Sequence, residues 1–330
     1  MKTSIALCSY NGEKFIREQL ESILNQTHPV DEIIICDDGS QDSTISILRD
    51  FENKYKSVIK VHQNRINLGF IKNFEKAISI ASGEIIFLSD QDDIWKKDKI
   101  EKTLKVFDKN PDCYYVFSDA ERIDEKGNKL EKSFWEELEF TPQKRLMFFK
   151  GFQKEILLKN NVVNGASTAI RSKFKQLLFP FSQLFPHDHW IALIFSFLDN
   201  KGGIPFDEPL ISYRIHRKQA LGFDRRTALQ RKFSYLKNLK QNHKNVFIKQ
   251  IEKLSEILFR IESSGNVPAD NTEYLRELIF YLKTRNKMYD VKRKERMKLI
   301  LDLAQNGYYR RFALSSLTLW KEILEKMILR

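Results

Sequence analysis

The alternation in the first 120 residues constrains this chain more than any other feature. Apolar runs rich in Ile, Val and Cys occur at 4–8, 32–36, 57–61, 84–88 and 113–117. Residues 12–25, 42–53, 69–81 and 96–109 lie between them and carry helical patterning. Phe70, Phe74, Ala77 and Ile78, for instance, recur at the spacing of one helix face. Apolar strands joined by crossover helices predict a mostly parallel sheet covered on both faces. Such sheets bind ligands beyond the carboxyl ends of their strands.

Those ends carry polar, mostly acidic residues. The first strand leads into Ser9-Tyr10-Asn11-Gly12-Glu13, the second into Asp37-Asp38-Gly39-Ser40, and the fourth into Asp90-Gln91-Asp92-Asp93. Residues two apart in an extended chain point to one side. Asp90 and Asp92 can therefore aim two carboxylates at one point, a donor set suited to Mg²⁺ or Mn²⁺ beside phosphates. The same acids would also serve as a turn that caps the next helix. In the second loop, Ser40 or Asp42 suits a helix cap, and a carboxylate can accept from a base N–H. Neither Gly-rich phosphate motif follows a strand. Phosphates would then have to be neutralised in another way, and a metal on paired aspartates is one.

From 121 to 220 the pattern loosens. Gly127-Asn128 marks a turn, and 160–171 reads as a strand region broken at Gly165. A helix is expected after Pro186, with Trp190, Leu193, Ile194 and Phe197 on one face, then a strand near 208–215. Residues 225–330 read as helical, broken around Gly265 and Pro268.

Charge is uneven. The chain has 56 Lys and Arg against 44 Asp and Glu, a net of +12. Residues 221–330 hold 24 of those bases and 12 of those acids, so the first two thirds are balanced. The densest stretch ends in Lys292, Arg293, Lys294, Arg296 and Lys298. It suits either a solvated helix face or contact with an anionic membrane surface. The balanced charge before it argues against a nucleic-acid partner. Cys8, Cys36 and Cys113 are odd in number and lack metal spacing, which fits reduced core residues in a cytoplasmic protein. No apolar stretch nears the roughly 20 residues that span a bilayer, and no signal-peptide pattern opens the chain. Any membrane association is expected to be peripheral, on the inner face.

Taken together, Ser9-Tyr10-Asn11-Gly12, Asp37-Asp38-Gly39-Ser40, Asn67-Leu68-Gly69 and Ser89-Asp90-Gln91-Asp92-Asp93-Ile94-Trp95 resemble glycosyltransferase family 2 in order and spacing. His187-Asp188-His189-Trp190 and Tyr213-Arg214-Ile215-His216 resemble the downstream motifs of its bacterial cell-surface polysaccharide, rhamnosyltransferase-like branch. The resemblance covers about residues 3–222. It implies an α/β GT-A fold with a Rossmann-like, mostly parallel sheet. Residues 1–222 would form the catalytic domain, with 1–120 for the nucleotide-sugar and 121–222 for the acceptor. Residues 223–330 would form a basic helical extension.

It further implies inverting, metal-dependent transfer from a UDP- or dTDP-sugar to a hydroxyl of a surface-glycan or lipid-linked acceptor. Ser9, Tyr10, Asn11, Glu13, Asp37, Asp38, Asn67, Lys72, Asp90 and Gln91 would line the nucleotide-sugar site. Lys72 stands where many relatives have arginine, a point charge in place of a planar fork. Asp90 and Asp92 would hold Mg²⁺ or Mn²⁺, with His216 as a third ligand or a diphosphate contact. Asp188 would be the base that takes the acceptor proton. Asp93, Trp95, His187, His189 and Trp190 would line the sugar or acceptor pocket, although both tryptophans suit a core equally well. Two rival functions are a sugar nucleotidyltransferase, which would want a Gly-rich basic first loop, and a non-catalytic binding module.

Overall fold

The computed structural model describes residues 1–217, 219, 228–265 and 267–313, without the side chains of 228–244. The ends of the basic extension, 223–227 and 314–330, lie outside the described residues. Two compact units are present, Met1–Phe223 and Asp224–Arg330.

The first unit begins with β1 (Thr3–Ser9), α1 (Ile16–Leu24), β2 (Glu32–Asp37), α2 (Thr44–Lys54), β3 (Ile59–Gln63), α3 (Phe70–Ile80) and β4 (Ile85–Ser89). It continues through β5 (Ile94–Trp95), α4 (Lys99–Lys109), β6 (Tyr115–Ser118) and β7 (Glu121–Ile123). Three short helices follow: α5 (Phe134–Glu137), α6 (Pro142–Phe149) and α7 (Gln153–Leu157). A tight 3₁₀ turn, Gly165–Ser167, leads into β8 (Thr168–Arg171). The unit closes with α8 (His187–Leu198), β9 (Gly203–Phe206) and β10 (Ile211–Arg214).

Seven strands form one sheet in the order β3-β2-β1-β4-β8-β6-β9. β1 pairs parallel to β2 and β4, and β2 pairs parallel to β3. β8 runs antiparallel to both neighbours, while β6 and β9 are parallel. Every residue of β1, β2 and β4 is buried, as a sheet covered on both faces requires. On α3, Asn73, Phe74, Ala77 and Ile78 form the buried stripe that the apolar spacing predicts. The three cysteines are free and buried.

A second sheet, β5-β10-β7, has three short strands. β5 holds only Ile94 and Trp95, too short for a periodic signal. It pairs with β10 through Ile211 and Ser212, so a late strand lies beside the acidic loop after β4.

In the second unit, α9 (Ala228–Ser263), α10 (Ala269–Lys287), α11 (Arg293–Gln305) and α12 (Tyr308–Phe312) are described. Leu254, Ile257, Ile261, Leu275, Ile279, Ile300 and Leu303 are buried there. Among the described residues, no helix is long and apolar enough to cross a membrane.

Candidate active site

β1, β2 and β4 end side by side, so their loops meet at one sheet edge. Gln91 fastens two of these loops. Its Oε1 accepts from Tyr10 N at 2.9 Å, and its Nε2 donates to Tyr10 O at 3.0 Å. A Cβ on Gly12 would stand 2.0 Å from Gln91 Oε1, so glycine leaves room for this clasp. Asn11, at φ +48°, takes Ser40 Oγ and Gln41 N as partners. Glu13 accepts from Ser43 N at 2.9 Å. Gln91, Asn11 and Glu13 therefore shape the loops with the very groups that would otherwise face a nucleotide.

The two adjacent aspartates after β2 differ in surroundings. Asp37 is fully buried and accepts from Ser9 Oγ, Ser40 N and Ser40 Oγ. That sets it apart from the expected contact with a base. Its carboxylate holds the turn and the start of the next loop. Asp38 accepts from Asn64 Nδ2, Leu68 N and Gly69 N at 2.8–2.9 Å, which orders the 64–69 loop. Asn67 Nδ2 adds a bond to Asp38 O. A carboxylate has about four acceptor positions, so Asp38 retains room for one ligand donor. Tyr10 stays exposed at the rim. Lys72 pairs with Glu75 at 2.6 Å on the surface of α3.

The acidic centre lies beyond β4. Burial first, then Asp92 and Asp188, push Asp90 up to about 8 against the opposing pull of Lys99. Burial, Asp92 and Asp90 likewise raise Asp93. Tyr213 is raised by burial and by Asp93, Asp90, Asp92 and Asp188 together. Four carboxylates from β4, its loop and α8 thus share one electrostatic neighbourhood. Asp93 Oδ1 accepts from Arg214 N, but its buried Oδ2 has no hydrogen-bond partner.

His216 Nε2 lies 2.7 Å from Asp92 Oδ2, and its ring packs on Phe15. Among the described residues, no three of His, Cys, Asp and Glu form a ready-made metal cage. A Mg²⁺ or Mn²⁺ ion beside a diphosphate needs fewer, because one or two carboxylates suffice and phosphate and water complete the shell. Crowded carboxylates, an orphaned buried oxygen and an imidazole fit such an ion.

Asp188 stands in the first turn of α8. It accepts from Asn161 Nδ2 and Gly165 N at 3.1 Å each, and from His189 N at 2.6 Å. These donors fix the carboxylate in orientation. Burial pushes the His187 imidazole below its ordinary value, against the opposing pull of Asp188. Its ring stacks on Phe74 at 3.8 Å, and neither ring nitrogen has a hydrogen-bond partner. A Cβ on Gly165 would stand 2.5 Å from His187 Nε2. His189 Nε2 meets Leu157 O at 2.9 Å.

Both tryptophans expected in the pocket belong to the core. Trp190 is fully buried and donates to Leu178 O at 2.9 Å. Trp95 is 3% exposed and packs against Phe87. A ring enclosed on all sides cannot touch a sugar.

Lys99 and Asn161 join the site without a sequence signal of their own, and Tyr213 and Arg214 join it from the motif that ends in His216. Lys99 is fully buried, with Nζ 2.6 Å from Ala166 O and 3.6 Å from the centroid of Trp95. Burial pushes its ammonium well below the usual lysine range, while Asp93 and Asp90 pull it back up. In sequence it looks like one more lysine after Lys96 and Lys97. Arg214 donates through Nε to Asp92 O and pairs with Glu18 at 2.6 Å, so it clamps the acidic loop.

The sequence profile described as "Glycosyl transferase family 2" matches residues 4–178, over half of the chain. The chain belongs to glycosyltransferase family 2. An uncharacterised glycosyltransferase of Methanocaldococcus jannaschii is 32% identical over 73% of this chain and 79% of its own length. A dTDP-rhamnosyl transferase of Shigella flexneri is 40% identical over 33% of this chain and 39% of its own. The Haemophilus influenzae relative, also an uncharacterised glycosyltransferase, is matched over 66% of its length at 30% identity.

Among solved structures, TarS 1–349 of S. aureus in complex with UDP-GlcNAc aligns with a TM-score of 0.55 at 18% identity, over 96% of this chain and 93% of that one. The mannosyltransferase PcManGT of Pyrobaculum calidifontis, in complex with GDP-Man and Mn²⁺, gives a TM-score of 0.55 at 15% identity, over 99% and 79%. These likenesses identify the GT-A fold.

Proposed function

We propose that this family 2 member moves a sugar from a nucleoside-diphosphate donor, UDP- or dTDP-linked, to a hydroxyl of a surface glycan or its lipid-linked precursor, with inversion. The observation that carries this reading is the meeting of Asp90, Asp92 and Asp93 with Asp188 in one electrostatic neighbourhood. One group of acids suits the diphosphate side, and Asp188 suits the acceptor side.

Tyr10 and the remaining acceptor position of Asp38 would hold the base, and Asp90 the ribose. Asp92, Asp90 and His216 would hold Mg²⁺ or Mn²⁺, which offsets charge on the departing diphosphate when bound. Lys99 tempers repulsion among the buried acids, and Arg214 fixes their loop. Asp188 receives the acceptor proton while the acceptor oxygen bonds to the anomeric carbon. The bond from that carbon to the diphosphate oxygen breaks on the opposite face, which inverts the centre. Asn161, Gly165 N and His189 N keep the carboxylate aimed. His187 beside it, with both ring nitrogens unpartnered, would hydrogen-bond the acceptor.

The unit Asp224–Arg330 exposes Lys292, Arg293, Lys294 and Lys298, a basic surface suited to anionic lipid on the cytoplasmic face of a membrane. The relative named for rhamnosyl transfer favours a deoxyhexose or hexose donor.

Calorimetric titration with UDP, dTDP and GDP, with and without Mn²⁺, tests the donor side on wild type and Asp92→Ala. Metal-dependent binding of one nucleotide, lost in the variant, is the expected result. A folded protein that binds none of them would overturn the reading.

A further inference from the structure

Helix α6 is inverted relative to an ordinary surface helix. Its inward side chain, Phe148, is fully buried and packs edge-on to Phe117 at 5.4 Å and Phe140 at 5.9 Å. At 3.6 residues per turn, the opposite face should be polar. Here Leu146 stands opposite Phe148, with Met147 and Phe149 on the two flanks, and the three are 53%, 45% and 59% exposed. The chain turns at Gly151, φ +100°, and Phe152 follows at 47% exposure, its N–H bonded to Met147 O. Four large apolar side chains within seven residues thus face solvent on a rigidly anchored turn.

Two lysines stand at the turn: Lys150 and Lys201 are exposed, and neither forms an ion pair with another described residue. Lys201 Cγ would lie 3.9 Å from a Cβ on Gly151, which places that lysine at the turn itself. Arg145 is paired with Asp207 at 2.6 Å on the flank. Lysine is depleted in the cores of protein–protein interfaces. Phe and Leu beside Lys, in contrast, suit the boundary of an anionic bilayer, where rings enter the acyl edge and ammonium groups reach phosphates.

The patch also connects to the acceptor side of the site. α7 follows Phe152 and ends at Leu157, whose carbonyl meets His189 Nε2. Four residues on, Asn161 donates to Asp188.

We propose that the Leu146–Phe152 turn is a membrane-docking surface that seats the catalytic unit on an anionic lipid leaflet with the Asp188 side toward lipid-borne acceptors. The docking explains why apolar groups stay exposed around the buried Phe148 anchor, and it gives the catalytic unit a lipid contact of its own. The orientation toward acceptors rests on the proposed acceptor role of Asp188; the docking itself needs neither donor nor acceptor, so the two can fail separately.

The test uses the full chain with Phe149→Cys labelled by an environment-sensitive fluorophore, which is selective because the native cysteines are buried. A second label at Lys56→Cys, on the exposed turn after α2, is the control. The probe is phosphatidylcholine vesicles with about 30% phosphatidylglycerol, against phosphatidylcholine alone. The expected result is a blue shift at position 149 with anionic vesicles, none at 56, and vesicle co-sedimentation that falls roughly tenfold in unlabelled Phe149→Ser/Phe152→Ser. That variant should still bind the nucleotide that wild type binds, which shows that it is folded. Co-sedimentation without a shift at 149 would place the lipid contact elsewhere and overturn the proposal. No vesicle binding would overturn it too, as would a shift that tracks self-association without lipid.

Discussion

The His216 imidazole meets the Asp92 carboxylate at 2.7 Å, across 124 residues of chain. The pair joins the loop after β4 to the end of β10, and Arg214 binds the same loop through Asp92 O. With His216→Ala, the expected result is Mn²⁺-dependent nucleotide binding weakened about tenfold, with metal-free binding unchanged. Titration of each nucleotide at fixed Mn²⁺ reads this directly. Equal loss with and without metal would make His216 a loop support instead.

Asp188→Asn keeps the shape of the side chain and removes the base. Its amide oxygen can keep the bonds from Asn161 Nδ2 and His189 N, which share Oδ1, while the bond from Gly165 N to Oδ2 is lost. Transfer should fall by roughly a hundred- to ten-thousandfold, while nucleotide affinity stays at the wild-type value. Steady-state kinetics beside calorimetry separates the two. Normal turnover in this variant would exclude Asp188 as the base.

Lys99→Met should be the most damaging change outside the acids themselves. It removes a fully buried amine that interacts with Asp93 and Asp90 and leaves Ala166 O without its 2.6 Å donor. Breaking one side of a buried charge cluster costs roughly 3–5 kcal/mol. Denaturant unfolding measures that loss. Added Mn²⁺ should recover part of it, because a bound cation takes over the balance of Asp90 and Asp93. A variant as stable as wild type would show that the acids do not depend on this lysine.

Glu32 gives a pH prediction away from the site. Burial would raise its carboxyl, but bonds from Ser4 Oγ, Ser82 N, Lys60 Nζ and Ser82 Oγ outweigh burial and hold it at about 2, below its ordinary 4.5. A depressed pKa contributes stability that is fully present above the unfolded value and is lost as pH falls toward the folded one. Glu32 should therefore contribute about 2 kcal/mol above pH 5, after solvent screening, and progressively less between pH 4.5 and 2. Chemical denaturation of Glu32→Gln across this range should show a flatter acid limb than wild type.

The first four strands and their crossover helices were legible because long apolar periodicities report burial directly. β5 and the helices α5 to α7 were not, since two to eight residues give no stable period. The acidic loops were legible as a set, but the work of each carboxylate was not. Asp37 and Asp38 are adjacent in sequence, yet one faces inward to its own turn and the other orders the 64–69 loop. Lys99 carries no sequence signal, because a lysine among lysines reads as solvent-facing until tertiary packing encloses it. Trp95 and Trp190 follow acidic motifs, but their neighbours in space, not in sequence, made them core.

The pairing of β5 with β10 sets a schedule on the ribosome. The whole seven-stranded sheet is encoded by Phe206, the last residue of β9. Arg214 and His216 come only afterwards, so a nascent chain can complete its sheet while the acidic loop still lacks both its clamp and its imidazole. The acidic loop therefore gains both partners together, when residues 211–216 emerge and pair with a strand translated more than a hundred residues earlier.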